Sequence, residues 1–446
     1  MLIIDKIENN LKEELNQISY WPYLRLVYGQ YSMNQDRNIY QKISKLDILK
    51  VRLSFLKVMF FGFKNFFRNY DYIFFGSTDG LKKIDNKYID RLGHGVMDYY
   101  GLDKVLYIEY FNRGKYSSLA SSDYKRVSYS IFQFLAKFFF VLDKNTYSND
   151  FLDKINKKYN MKIDYQYEIK KIISITKLCK LYFKIVKPKK IFITAYTYKG
   201  VVKAAKELSI ECIEFQHGVI TNNYAYRYNY IKDKSYNPDK LIVYGRQDME
   251  TILKFDYLSS SENIILGGNF YLNHIYKHNV KLSNNYSSKI GVSLQTPIAK
   301  EMISIITQCA EALPDILFIL IPRSKNDLDT YIELSNLKVY EELNCYQIIN
   351  ECMIHITGYS TCSTEAPSLG LLNIFVNIEQ RSEFYYKEYI ENNFFNYIVE
   401  DNAVSLVNMI KNLKNRKIDK QEIIKQNNFY FEQVNTPKII ENIEKG

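Results

Sequence analysis

Lys190-Ile191-Phe192-Ile193-Thr194, an Ala- and Lys-rich stretch over 200–208, and Ile210-Glu211-Cys212-Ile213-Glu214-Phe215 running into Gln216-His217-Gly218 decide the fold. Two apolar runs of strand length flank a segment of helical spacing, which makes a strand–helix–strand unit of minimum practical length. Such a crossover joins parallel strands and puts the chain in the α/β class. Working outward, Lys240-Leu241-Ile242-Val243-Tyr244-Gly245 reads as another strand followed by a helix. Asn263-Ile264-Ile265-Leu266 is one more strand and ends in Gly267-Gly268-Asn269. On the N-terminal side, Tyr72-Ile73-Phe74-Phe75 is a strand that ends in Gly76-Ser77-Thr78-Asp79-Gly80, and Val105-Leu106-Tyr107-Ile108 is a second. A helical pattern over 158–186 stops at Pro188.

A second strand-and-helix series follows. It comprises strands over 290–294, 316–321, 353–357 and 372–376, with a helix over 299–313. Two such series joined by a polar segment predict two Rossmann-like domains facing a central cleft. The expected boundaries are an N-terminal domain over 1–269 with a helical extension, a linker over 270–288, a C-terminal domain over 289–425 and a helical tail over 426–446.

The 446 residues suit two or three domains, and 47% hydrophobic with 24% charged residues is the balance of a folded protein. Six scattered cysteines, without a C-x-x-C pair, fit a reducing, cytoplasmic setting and no metal site. The chain opens Leu2-Ile3-Ile4-Asp5, which is not a signal peptide, and it lacks an apolar run long enough to span a bilayer. The net charge of +11 is spread along the chain, and no nucleic-acid motif spacing accompanies it. The segments 51–67 and 131–141 read as cationic amphipathic helices, which suit either core packing or the inner face of a membrane.

Ligands of open parallel sheets bind at the carboxyl ends of strands. Here those ends carry Asp79, Gln216-His217-Gly218, Pro322-Arg323 and Ser360-Thr361-Cys362-Ser363-Thr364-Glu365. His217 has the side chain of a general base near neutral pH, and Asp79 competes for that role. Ser360, Thr361, Ser363 and Thr364 stand before a helix start, where a phosphate finds N–H and hydroxyl donors. Glu365 is placed to accept from ribose hydroxyls, and Arg323 to pair with a phosphate.

These runs, with Asn237-Pro238-Asp239-Lys240 and Leu369-Gly370 before Asn373-Ile374-Phe375-Val376, resemble the signature of bacterial surface-polysaccharide glycosyltransferases of the GT-B architecture. That group includes sialyl-, Kdo- and teichoic-acid transferases. The resemblance covers about 187–380. It implies an N-terminal acceptor domain, with Glu214, Gln216 and Gly218 as acceptor or cleft contacts, and a C-terminal domain that binds a nucleotide sugar. In it Glu365 would hold the ribose, and Ser360, Ser363 and Thr364 phosphate. Two departures stand out: Pro322-Arg323 where many relatives carry His-Pro, and one acid before Gly80 where sialyltransferases carry a pair.

The expected reaction is metal-independent transfer with inversion, without a cofactor, from a nucleotide sugar to an oligosaccharide or lipid-linked glycan of capsule, O-antigen or lipooligosaccharide. Competing readings are a teichoic-acid-type CDP-polyol phosphotransferase, a sugar-nucleotide 2-epimerase on the same fold, and a non-catalytic assembly scaffold.

Overall fold

The computed structural model describes residues 3–35, 58–84, 87–111, 122–218, 220, 223–258, 260–277, 288–340, 343–414, 416 and 419–445. The chain forms two compact units. One comprises 1–243, 248–267 and 435–446, and the other 244–247 and 268–434.

The strands of the first unit are β1 (Tyr72–Ser77), β2 (Leu81–Ile84), β3 (Lys87–Asp90), β4 (Val105–Tyr110), β5 (Lys125–Ser128), β6 (Lys190–Ile193), β7 (Glu211–Phe215), β8 (Lys240–Val243) and β9 (Ile264–Leu266). Seven of them make a parallel sheet ordered β5-β4-β1-β6-β7-β8-β9, while β2 and β3 form a separate antiparallel hairpin. The second unit holds β10 (Ser288–Ser293), β11 (Ile316–Ile321), β12 (Leu337–Val339), β13 (Ile354–Thr357), β14 (Leu372–Val376) and β15 (Asn396–Val399). These form one parallel sheet ordered β12-β11-β10-β13-β14-β15. Numbered within the unit, that order is 3-2-1-4-5-6, the dinucleotide-fold arrangement, and the first sheet repeats it with a seventh strand added. Both units are Rossmann-like.

The central strands are continuous apolar runs because helices cover both faces of a parallel sheet. β11 is buried at every position, as are β13 and β14. On one face of the first sheet Ile73, Phe75, Ile191 and Ile193 pack with Phe132, Cys179 and Phe183 of the helices Tyr129–Leu142 and Tyr165–Val186. The N-terminal helices Ile3–Asn10 and Trp21–Gln35 join a second cluster with Tyr226, Tyr228 and Tyr257. A fully buried Arg25 pairs there with Glu8 at 2.8 Å.

Three expectations change. The region 270–288 is not a bare linker: Phe270–Lys277 is a helix and β10 starts at Ser288, while 278–287 lie outside the described residues. The tail is not one element. The helix Thr436–Glu444 belongs to the first unit, because Ile439, Ile440 and Ile443 are buried there. Lys240 Nζ caps that helix by donating to the carbonyls of Ile443 (2.6 Å) and Lys445 (2.7 Å). The helix expected over 51–67 lies partly outside the described residues. Its described end is a 3₁₀ turn, Phe63–Phe67, entered through Gly62 at φ +67°. A Cβ on Gly62 would meet the Arg126 carbonyl oxygen at 1.9 Å, so only glycine lets the chain turn here.

Candidate functional site

The strand order of the first unit reverses between β1 and β6, so the loops leaving β1, β6 and β7 border the ligand-binding position of such a sheet. Asp79 stands in the 3₁₀ turn Thr78–Gly80, directly after β1, and is half-buried. That turn rests on a buried polar cluster. Thr78 Oγ1 donates to Glu109 Oε1 at 3.1 Å, and Glu109 accepts from Arg126 at 3.2 Å. Beside them Asp90 accepts from the Tyr107 hydroxyl at 2.8 Å and from the N–H groups of Leu92 and Gly93. Burial raises the Asp90 pKa against those three hydrogen bonds. His94 Nδ1 lies 2.8 Å from the Tyr124 hydroxyl, and burial lowers its pKa.

His217 is exposed at the end of β7, two sheet positions from β1. At the usual strand spacing this puts the two loops about 10 Å apart on the same carboxyl edge. The structure thus brings the two candidate bases to one edge of one sheet. Glu214 and Gln216, expected as acceptor or cleft contacts, are buried and hold the His217 loop from beneath instead. Glu214 accepts from the hydroxyls of Tyr226 (3.0 Å) and Tyr257 (2.8 Å), and Tyr226 takes the backbone N–H of His217. Gln216 Nε2 donates both to the Gly218 carbonyl and to Asp248 Oδ2, each at 2.9 Å. Gly218 has φ +76° with open space where a Cβ would stand, so it supplies the turn without packing against anything.

Lys199 is buried beside Glu214 and donates to Asn237 Oδ1 at 3.2 Å. Burial lowers the lysine pKa and raises that of the glutamate, and the charge of each opposes the shift of the other. Among the described residues, no such cation stands beside Asp248. Burial pushes its carboxyl up to about 7, against the hydrogen bond from Gln216.

In the second unit the strand order reverses between β10 and β13. The loop after β13 carries residues 358–361, followed by the short helix Cys362–Glu365. A side-chain network from the neighbouring strands fixes it. Gln295 Nε2 donates to Thr357 Oγ1 at 3.0 Å, and Gln295 Oε1 accepts the Tyr359 N–H at 3.1 Å. Asn373 Nδ2 donates to the Ser363 carbonyl at 2.7 Å. His355 bridges Asn373 Oδ1 (3.0 Å) and Ser293 Oγ (2.8 Å), and burial lowers its pKa to about 4, leaving the ring neutral.

Most polar groups expected to hold phosphate are engaged within this loop. Ser363 Oγ donates to the Ser360 carbonyl and Thr364 Oγ1 to that of Thr361. The N–H groups of Ser360, Ser363 and Thr364 are likewise bonded. Thr361 is exposed. Glu365 is buried and accepts from the Tyr346 hydroxyl at 2.8 Å. Arg323 is exposed after β11, and its N–H donates to Asp327 Oδ2 at 2.8 Å. Asp327 in turn closes a capping box with Ser324, so the Asp327-Leu328-Asp329 run serves a turn.

Sequence reasoning missed Arg381, which pairs with Glu379 at 2.7 Å, donates to the Tyr359 hydroxyl at 3.2 Å and lies over that ring at 5.4 Å. It also missed Asp248 and the cluster under Asp79. The spacing of Arg381 after β14 was a usable signal, because it follows the carboxyl end of a central strand. Asp248, by contrast, reads as an ordinary acid in the first turn of a helix. Among the described residues, no three His, Cys, Asp or Glu side chains are grouped as a metal site would need. Among them too, no helix is long and apolar enough to cross a membrane.

The UDP-GlcNAc 2-epimerase from Neisseria meningitidis, solved bound to UDP-GlcNAc, matches this chain with a TM-score of 0.51 at 12% identity, over 84% of this chain and 99% of that one. A second UDP-N-acetylglucosamine 2-epimerase structure matches at 0.51 and 11% identity, over 85% and 95%. The fold is GT-B. No family model matches the sequence, and no curated protein matches it.

Proposed function

We propose that this chain is a sugar-nucleotide enzyme, and specifically an inverting, metal-independent glycosyltransferase that moves a sugar from a nucleotide-activated donor to a bacterial surface glycan. The observation that carries the reading is the pair of Rossmann-order sheets, with an exposed His217 at the carboxyl edge of the first and a braced loop at the strand-order reversal of the second. In this reading His217 takes the proton of the acceptor hydroxyl as that oxygen attacks the anomeric carbon, and the bond to the nucleotide phosphate breaks. Tyr226 and Gln216 hold the loop so that the imidazole keeps its place. Asp79 is the alternative base. Thr361, Arg381 and Arg323 meet the developing phosphate charge, and Ser360, Ser363 and Thr364 shape the loop that carries Thr361. Glu365, oriented by Tyr346, addresses the ribose.

The second reading is a sugar-nucleotide 2-epimerase. It is favoured by the activity named for both matched structures. Incubation with UDP-, GDP-, CDP- and CMP-linked sugars, with and without glycan acceptors, separates the two. A transferase releases nucleotide in step with acceptor consumed. An epimerase converts UDP-GlcNAc with no acceptor present. Inertness toward the whole panel would sink both.

A further inference from the structure

Ten of the eighteen large hydrophobic side chains that stand exposed among the described residues fall on three segments of the first unit, 58–68, 129–142 and 165–187. The three segments are packed together. Phe66 stacks on Tyr182 at 4.4 Å and meets Phe132 at 5.3 Å, while Phe140 meets Tyr167 at 5.2 Å. The helix Tyr129–Leu142 sends Ile131, Phe132 and Ala136 into the core. Its opposite face carries Phe134, Phe138, Val141 and Leu142 at helical spacing, with Phe138 59% and Leu142 73% exposed. Phe67 (70%) and Ile185 (66%) are likewise exposed on the two neighbouring segments.

The charge around these side chains is mainly positive. The three segments contain Lys64, Arg68 and Lys137, and six further lysines over 165–187, against a single acid, Glu168. Glu168 is occupied by Lys171 at 3.0 Å and by the Tyr23 hydroxyl at 2.6 Å. Asp143, just past the second segment, is buried, accepts from Tyr147 and lies near Lys170 and Lys177, and exposed Asp164 stands just before the third segment. Lys180 is paired with Glu207 of the adjoining helix, while Lys177 and Lys184 are exposed.

Apolar tips standing among lysines that outnumber the acids have the pattern of a surface that enters the headgroup region of a bilayer. On such a surface a lysine stem can lie along apolar side chains while its ammonium reaches phosphate. A protein partner of ordinary composition would not select so one-sided a charge, whereas an anionic leaflet does.

We propose that this outer face of the helix layer docks the chain on an anionic lipid bilayer, with Phe67, Phe138, Leu142 and Ile185 entering the interface and Lys177 and Lys184 meeting lipid phosphates. The proposal does not depend on the reaction catalysed.

Co-sedimentation of the full chain with phosphatidylcholine vesicles, and with vesicles that also contain phosphatidylglycerol, tests it. The chain binds the anionic vesicles, and added salt weakens the binding. Lys177→Gln with Lys184→Gln lowers partitioning about 25-fold, roughly five-fold for each charge removed. Phe138→Ser with Leu142→Ser lowers it as well, and these exposed positions leave the thermal unfolding midpoint unchanged. Failure to bind anionic vesicles, or equal binding to neutral ones, overturns the proposal. So does a dimer in sedimentation equilibrium that the Phe138→Ser, Leu142→Ser variant splits while vesicle binding stays intact, because the face would then belong to a second copy.

Discussion

Replacing Asp248 by Asn should make the protein more stable above neutral pH. The Asp248 carboxyl is buried, accepts a hydrogen bond from Gln216 Nε2 at 2.9 Å, and titrates near 7 where the ordinary value is 3.8. In the unfolded chain it gives up its proton near pH 4. Between pH 4 and 7 the folded state therefore holds a proton that the unfolded state has lost, so stability falls as pH rises through that window. Above pH 7 the cost is complete. A difference of about three pH units at about 1.4 kcal/mol each sets the cost at roughly 4 kcal/mol. Asn has nearly the same shape, keeps an oxygen for Gln216, and never has to ionise. At pH 8 the Asp248→Asn variant should gain about 2–4 kcal/mol, a rise in melting temperature on the order of 5–10 °C. Near pH 4 wild type and variant should melt together. Thermal unfolding followed by circular dichroism at both pH values measures this. An equal shift at the two pH values, or a loss at pH 8, would refute the picture of a neutral acid bracing the His217 loop.

His217→Ala should abolish sugar transfer while leaving nucleotide binding within about two-fold, measured by turnover and calorimetry on the same preparation; surviving activity would move the base to Asp79. Gly76→Ala and Gly218→Ala should behave differently in urea unfolding. A Cβ at Gly76 would lie 2.0 Å from the Tyr107 hydroxyl oxygen, which costs about 1–3 kcal/mol or more. At Gly218 there is open space and only the positive φ is strained, for about 1–2 kcal/mol. Chelation by EDTA should leave turnover unchanged, and loss of activity restored by added Mg²⁺ or Mn²⁺ would contradict metal independence.

Most of the strands that could be read in the sequence are buried on both faces, with the three-residue edge strand Ile264–Leu266 as an exception. Ile316–Ile321 and Leu372–Val376 are unbroken apolar runs because helices cover both sides of a parallel sheet. The missed strands are short, near sheet edges, or carry charges whose partners lie far along the chain. Lys125–Ser128 holds an arginine because Glu109 waits on β4, and Leu337–Val339 is three residues at an edge. The position of His217 was legible because a buried strand runs straight into Gln-His-Gly. What braces it was not, since Tyr226 and Asp248 come from segments that the sequence separates from it and only the fold brings together. The Ser/Thr-rich loop shows the reverse error. Composition suggested a set of open hydroxyls, whereas Ser363 and Thr364 spend theirs on loop carbonyls.

With His217 at the reacting centre, the proposed transfer from a nucleotide sugar needs both that imidazole and a glycan acceptor. The most direct test is nucleotide release from a panel of activated sugars, by wild type and His217→Ala, in the presence and absence of a glycan acceptor. Wild type should release nucleotide only when acceptor is present, and the variant should release none. Equal release by both proteins, or no turnover or binding of any activated sugar, would contradict it.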